Sequence, residues 1–424
     1  MNLQSRIVEL NPQWRGELFP APYLKRDFFD ALYASLKSPL ITFLSGTRRV
    51  GKSILLKQLI NHLISQDKIQ PSRILFFEFS PRQDKEFIWD VYRYFKQNIL
   101  QNGQPTYLFF DEVQVIPGFE IAIKEIYDNL DQTKVKMFIT GSPSISYKRK
   151  MAESLAGRFL PYRLFPLNFK EYLRLKESPL LSKLENSGLD NLTRMGDLEQ
   201  LNMEFKRFLS WGRLPQMLSM PDNEKRLYLE SSIDQTITKD AFDYFSIQNP
   251  SALSALFFYV CQNNGQTMVK ENLSQVSGIS VVTVANYLDV LELMGLTYTV
   301  YNSTNPVIKL NSARKIYVSS MFGLKNSKYD PQTAFGFAAE SYVLERLLEQ
   351  NQLVTFYRNR NKEVDFLLPK NNIAYEIKYR PQFEQPKIVL PKFELKVLSY
   401  SGSLPVCLFL SVVILLVYYP PTHL

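Results

Sequence analysis

Cysteine and histidine are nearly absent: the 424-residue chain holds Cys261, Cys407, His62 and His423 and no others. Two thiols build neither a disulfide framework nor a zinc cluster. Two imidazoles leave little material for a histidine metal centre or a histidine-based triad. The opening residues, MNLQSRIVELNPQW, lack the apolar stretch of a secretory signal. Together these absences make a reducing, cytoplasmic setting the expectation. Strong charge of one sign is lacking too. The 50 Lys and Arg against 41 Asp and Glu leave +9, thinly spread, which permits nucleic-acid binding without demanding it. A hydrophobic share of 45% and a charged share of 21% describe a folded protein. The length suits two or three domains, each with its own core.

One apolar run is conspicuous, Val406-Cys-Leu-Phe-Leu-Ser-Val-Val-Ile-Leu-Leu-Val-Tyr-Tyr419. It is shorter than the roughly 20 residues a membrane helix requires. Its β-branched and aromatic content favours one or two buried strands, so no membrane association is expected. A membrane anchor and an altered chain end stand as the alternatives.

What is present begins with Gly46-Thr47-Arg48-Arg49-Val50-Gly51-Lys52-Ser53, the pattern G-x-x-x-x-G-K-S. It follows the apolar run from Leu40 to Ser45 and precedes the helical stretch from Ile54 to Ile60, the setting a P-loop requires. The two glycines allow a tight turn whose N–H groups converge on phosphate oxygens. Lys52 is placed to reach the β- and γ-phosphates, and the Ser53 hydroxyl to ligate Mg²⁺. The expected cofactors are ATP and Mg²⁺.

Further apolar runs follow, Ile74–Phe79, Thr106–Phe110 and Lys136–Thr140, separated by helical stretches. This alternation predicts an α/β domain with a parallel sheet covered on both faces. The second run ends in Asp111-Glu112, a Walker B pattern: Asp111 for the Mg²⁺ shell, Glu112 to polarise the attacking water. The third leads into a polar turn, where Ser142 is either a sensor of the γ-phosphate or an ordinary turn residue.

With Leu155-Ala-Gly-Arg158 and Pro166-Leu-Asn-Phe169 added, the order of motifs resembles a prokaryotic AAA-type ATPase family related to the AAA+ and STAND groups. The resemblance spans about Arg26 to Tyr172. It departs at Thr47, where the family usually has proline. It implies ATP binding and hydrolysis, and makes Arg158 a candidate arginine finger; the competing reading is an ion-paired surface arginine. Arg48 and Arg49 flank the phosphates, to offset their charge or to meet a partner.

Residues 205–245 read as helical and contain Trp211-Gly-Arg213-Leu-Pro215. The family carries a second glycine at the position of Arg213, which puts a backbone-approach role there in doubt. From Asn272 to Tyr301 the pattern resembles a winged helix. One helix ends at Gly278, a second starts after Ser280 and stops at Gly295, and Leu296–Tyr301 with Lys315–Val318 form a wing. Thr283, Asn286, Asp289 and Glu292 are the expected outward positions of the second helix. They are poor in the cations that DNA contact requires, so DNA binding and an interdomain packing role both stay open.

Downstream, Glu340 opens a helix, Asp365 lies in one strand, and Glu376-Ile-Lys378 lies in the next. Strand alternation places Glu376 and Lys378 on one face. The ordered set resembles a PD-(D/E)xK nuclease fold, which the ATPase family usually carries at its C-terminus. Glu340, Asp365 and Glu376 are then candidate ligands of a second metal, with Lys378 beside them. The proline-punctuated, apolar end after Arg380 departs from that fold.

The expected organisation is an ATPase domain over 1–172, a helical lid with a winged-helix-like segment over 173–325, and a nuclease-like domain over 326–424. Two outputs remain open. In one, Mg·ATP turnover is coupled to a nuclease-like domain acting on nucleic acid. In the other, an ATP-gated regulatory protein holds a protein partner through an inactive C-terminal region. Oligomerisation is compatible with both.

Overall fold

The computed structural model describes residues 2–21, 25–81, 83–100, 105–130, 134–141, 154–187, 195–245, 247–303, 314–322, 330–350, 352–359, 362–379 and 394–400. Ser142 and the 406–419 run lie outside them. The chain divides into two units, Met1–Leu164 and Phe165–Leu424.

In the first unit five short apolar runs become strands: β1 (Ile41–Ser45), β2 (Ile74–Glu78), β3 (Thr106–Asp111), β4 (Val135–Gly141) and β5 (Phe159–Arg163). All pair in parallel, in the order β2-β3-β4-β1-β5. In β1 to β4 nearly every side chain is buried, as a parallel sheet covered on both faces requires, whereas β5 at the edge is only partly buried. The helices are α1 (Leu3–Leu10), α2 (Phe29–Ala34), α3 (Lys52–Ser65), α4 (Lys85–Asn98) and α5 (Phe119–Asp128). In α4 the Asp84 side chain caps the first turn by accepting the Phe87 N–H, and Ile88, Val91, Tyr92 and Phe95 form one buried stripe. The expected parallel-sheet α/β architecture is present. Its consequence is positional: β4 lies between β1 and β3, so the end of β4 stands between the P-loop and Asp111.

The second unit contains α6 (Phe169–Leu175), α7 (Pro179–Ser187), α8 (Met195–Trp211), α9 (Asp222–Asp234), α10 (Ala241–Phe245), α11 (Pro250–Gln262), α12 (Lys270–Ser277), α13 (Val281–Leu293) and α14 (Pro331–Glu349). A π-helical stretch, Gln235–Asp240, joins α9 to α10. Seven strands, β6 (Thr267–Met268), β7 (Thr297–Asn302), β8 (Arg314–Val318), β9 (Thr355–Asn359), β10 (Lys362–Leu368), β11 (Ile373–Tyr379) and β12 (Glu394–Tyr400), form one sheet in the order β12-β11-β10-β9-β7-β8-β6. The parallel pairing of β7 with β9, Tyr301 opposite Thr355, joins the middle of the chain to its C-terminal part. Residues 173–325 and 326–424 therefore share a sheet. They also share a core, in which Phe169, Phe205, Phe208, Tyr342 and Phe366 meet.

Residues 165–172 belong to this second unit. Asn168 and Glu171 make a reciprocal capping box at the start of α6, and the Phe169 N–H donates to the Tyr342 hydroxyl at 3.0 Å. Arg213 is buried here. It is paired with Glu345, donates Nε to Ser320 Oγ at 2.7 Å, and lies 4.9 Å from the Tyr342 ring centroid. Glu345 Oε1 also accepts from Ser319 Oγ at 2.7 Å and the Ser320 N–H at 3.0 Å. Both carboxylate oxygens of Glu345 are thus engaged, as a buried ion pair requires, while Arg213 Nη1 is buried without a hydrogen-bond partner. Arg213 thus ties the end of α8 to α14 and to the turn after β8. Among the described residues no single helix is long and apolar enough to cross a membrane.

Candidate nucleotide site

The parallel sheet of the first unit delivers three of its strand ends to one edge. After β1 the chain turns through Gly46 to Gly51 and enters α3 at Lys52. A Cβ on Gly46 would sit 2.6 Å from the Leu164 carbonyl oxygen, so only glycine lets the two backbones approach this closely. Arg49 (φ 67°) and Gly51 (φ 101°) adopt left-handed conformations within the loop. Such alternation aims successive N–H groups into one concavity suited to an anion, and the N-terminus of α3 adds its dipole. Arg26 was not singled out from the sequence. It is buried and donates Nη1 to the Val50 carbonyl at 2.8 Å, bracing the loop from outside.

Lys52 is buried at the start of α3. Its Nζ donates to the Gly46 and Thr47 carbonyls at 3.0 and 3.2 Å and lies 3.7 Å from Glu112 Oε1. The lysine is held against its own loop, with the Walker B glutamate as counter-ion.

Asp111 ends β3 fully buried. The Thr140 hydroxyl donates to its Oδ1 and the Ser53 hydroxyl also bonds it, while Oδ2 is buried without a partner. Burial, then the charge of Glu112, pushes its pKa up to about 6 against the two hydroxyl hydrogen bonds. An unpaired carboxylate oxygen beside a P-loop serine is the donor set a divalent cation uses, so the residues present fit Mg²⁺. Thr47 Oγ1, also buried and unpartnered, faces the same deficit.

Glu112 follows at φ 56°, an uncommon conformation for a residue with a side chain. Its N–H donates to Thr140 Oγ1 at 2.9 Å and its Oε2 accepts from Gln114 Nε2 at 2.5 Å. Burial would raise its pKa. Lys52, the Gln114 hydrogen bond and Arg48 outweigh that and hold it below the usual glutamate value, so Glu112 is charged and proton-accepting. Thr140 is the residue sequence reasoning passed over: it donates to one acidic residue, accepts from the next, and fixes both. The signal available was a polar side chain ending a buried apolar strand. That signal selected Ser142 instead, which lies outside the described residues.

Arg158 stands elsewhere. It immediately precedes β5, and its carbonyl accepts from the Ile41 N–H at the start of β1. It is therefore separated from the P-loop of its own chain by the length of β1, roughly 13 Å at the usual rise per residue. Its guanidinium makes a two-pronged pair with Asp128, Nε to Oδ1 at 2.7 Å and Nη2 to Oδ2 at 3.1 Å. Arg48 and Arg49 are half-buried in the loop, and Arg48 acts on Glu112.

In the second unit, α12 and α13 meet at 98° across Gly278, with Ser280 Oγ accepting the Thr283 N–H at 3.1 Å. Val282, Asn286 and Asp289 are exposed on α13, while Thr283 and Glu292 are half-buried. No lysine or arginine occurs in that helix. The second-metal candidates are partly brought together. Asp365 and Glu376 are buried neighbours on β10 and β11, with the Asp365 N–H donating to Glu376 Oε2 at 3.3 Å. Glu340, on α14, accepts from the Tyr317 hydroxyl at 3.3 Å. Lys378 lies in β11 and its side chain is outside the described set. Among the described residues no group of three or more His, Cys, Asp or Glu side chains is arranged to hold a metal ion. A cation that the sequence did not point to, Lys315, sits against Asp365 instead.

Residues 38–173 match a family model described as AAA domain, and residues 202–322 match a domain of unknown function (DUF8612). An uncharacterized protein of Haemophilus influenzae is 24% identical over 377 residues, covering 86% of this chain and 87% of that protein. The uncharacterized protein MJ1544 of Methanocaldococcus jannaschii is 24% identical over 386 residues, covering 86% and 82%. Among solved structures, Aeropyrum pernix ORC1 in complex with DNA aligns over 79% of this chain and 98% of its own, at 10% identity and a TM-score of 0.30. Cdc6p of Pyrobaculum aerophilum aligns over 77% and 97%, at 12% identity and a TM-score of 0.29. Likeness at those TM-scores carries no weight for this chain. The family match and the site geometry agree on one point: residues 38–173 are a P-loop domain of the AAA type.

Proposed function

We propose that the first unit binds Mg·ATP and hydrolyses it, and that its nucleotide state governs what the second unit binds. The carrying observation is the buried, unpartnered Oδ2 of Asp111 beside Ser53 and the P-loop. Loop N–H groups and Lys52 hold the β- and γ-phosphates, Lys52 exchanging the Gly46 and Thr47 carbonyls for phosphate oxygens. Ser53 and Asp111 hold Mg²⁺, which when bound supplies neutralisation of phosphate charge. Glu112, deprotonated, orients the attacking water and takes its proton. Thr140 keeps the two acidic residues in register. Ser142, the residue that follows Gly141 in sequence, is proposed to contact the γ-phosphate, and Arg48 and Arg49 to offset its charge. Arg158 is proposed to reach nucleotide only on a neighbouring copy, after leaving Asp128. The test is an equilibrium titration with a fluorescent ATP analogue in Mg²⁺. Lys52→Ala should lose affinity by well over about tenfold; wild-type affinity in that variant refutes the assignment.

For the output, the winged-helix-like and nuclease-like readings both belong to Phe165–Leu424. The absence of lysine and arginine from α13 favours a protein partner over DNA, since phosphate contact draws on cations at that face. The reading supported best is an ATP-gated interaction protein with a non-cleaving nuclease-like region. A nuclease acting on nucleic acid is the competing reading.

A further inference from the structure

Lys315 is the second residue of β8, a strand that enters the seven-stranded sheet beside β7. Its side chain is only 4% exposed. The ammonium lies 2.7 Å from Glu363 Oε1 and 3.1 Å from Asp365 Oδ1. It also sits above two rings, 5.8 Å from the Phe356 centroid and 6.0 Å from that of Tyr317. Asp365 Oδ2 is engaged as well, accepting the Ile377 N–H at 2.9 Å across the β10–β11 pair. Glu363 Oε2 lies 3.5 Å from Arg358 Nε. Both oxygens of Asp365 and both of Glu363 are thus committed within the fold.

We infer that Lys315 is the resident cation of this acidic cluster, occupying the place a divalent metal would need and keeping the site metal-free. Two facts of chemistry support it. A metal ligated by Asp365 through the oxygen that holds the ammonium would lie within roughly 5 Å of that ammonium, and like charges so close inside a protein repel strongly. The ammonium is also anchored from a second side, 2.7 Å from Glu363 Oε1, so two carboxylates fix the cation where it stands. A metal-dependent nuclease needs an open cation position. Here that position is filled from β8, a strand outside the Glu340, Asp365, Glu376 and Lys378 set. The inference deepens the non-cleaving reading of the second unit and is independent of the ATP site.

The test counts Mn²⁺ bound to nucleotide-free protein by electron paramagnetic resonance, in wild type, Asp365→Asn, Lys315→Met and Lys315→Met/Asp365→Asn. Wild type and Asp365→Asn should bind the same number of ions. Lys315→Met, close in size but uncharged, should gain one ion with affinity at least about tenfold above wild type, and the double variant should lose it. Thermal melting gives a second readout: Mn²⁺ should raise the midpoint of Lys315→Met by more than that of wild type, and the excess should vanish in the double variant, because a ligand stabilises only the state that binds it. Mn²⁺ binding in wild type that disappears in Asp365→Asn overturns the inference, as does a folded Lys315→Met that gains no ion. Should Lys315→Met fail to fold, wild type against Asp365→Asn still decides. None of these measurements involves ATP, so a failure here leaves the nucleotide assignment standing.

Discussion

Asp111→Asn should make the nucleotide-free protein more stable while destroying its Mg·ATP turnover. The carboxyl is fully buried and its pKa stands at about 6 against a reference value of 3.8. The folded state therefore disfavours the charged form. Stability is intact below about pH 3.8, falls as pH rises through 6, and stays lowered above it. A difference of 2.2 pKa units (6 minus 3.8) corresponds to about 3 kcal/mol of destabilisation near pH 8. Integrated over the same two values, the penalty shrinks to roughly half of that at pH 5. Asparagine keeps an oxygen that accepts from Thr140 and Ser53 and carries no charge, so it should recover most of that amount. The assay is urea unfolding of wild type and variant without nucleotide at pH 8 and pH 5, followed by a probe in the first unit. The expected result is a variant more stable at both pH values, with the gap at pH 8 roughly twice that at pH 5. Adding Mg·ATP should close the gap by stabilising wild type alone. A variant less stable than wild type, or a gap that ignores pH, would falsify the claim that a buried carboxylate awaiting a cation is the cost carried by this site.

Other expectations concern the remaining residues of the site. Glu112→Gln should bind ATP normally and lose about 10²–10⁴-fold in turnover, measured by phosphate release, because the amide keeps the Gln114 contact but takes no proton; turnover at the wild-type rate would place the base elsewhere. Arg158→Ala should fold normally, since an exposed ion pair adds little to stability, yet cut turnover about 10³-fold or more. Wild-type activity per subunit should then rise with protein concentration; activity flat with concentration and unchanged in the variant would leave Arg158 as the partner of Asp128 alone. Duplex DNA should bind the protein weakly at physiological salt, as judged by fluorescence anisotropy with and without ATP. A tight complex whose affinity falls steeply with salt would restore the nucleic-acid reading.

Local pattern was enough wherever the chemistry is local. The P-loop turn, the Asp111-Glu112 ending of β3 and the parallel sheet could be read directly, because a glycine-rich turn between strand and helix and an apolar run ending in acids specify the local conformation. The Ser280 cap and the stop after α12 at Gly278 were legible for the same reason. Tertiary structure alone decided the rest. Strand order set β4 between β1 and β3, which made Thr140 the residue that joins Asp111 to Glu112. The parallel register of β1 and β5 put Arg158 at the far edge of the sheet from the loop it was expected to serve. Burial turned Arg213 into the partner of Glu345 across 132 residues of sequence. Pairing of β7 with β9 brought the wing strand and the acidic strands into one sheet, and with them Lys315 against Asp365, 50 residues away. Sequence spacing carries no record of such meetings, because they arise from which strands share an edge and how much charge the resulting interior can tolerate.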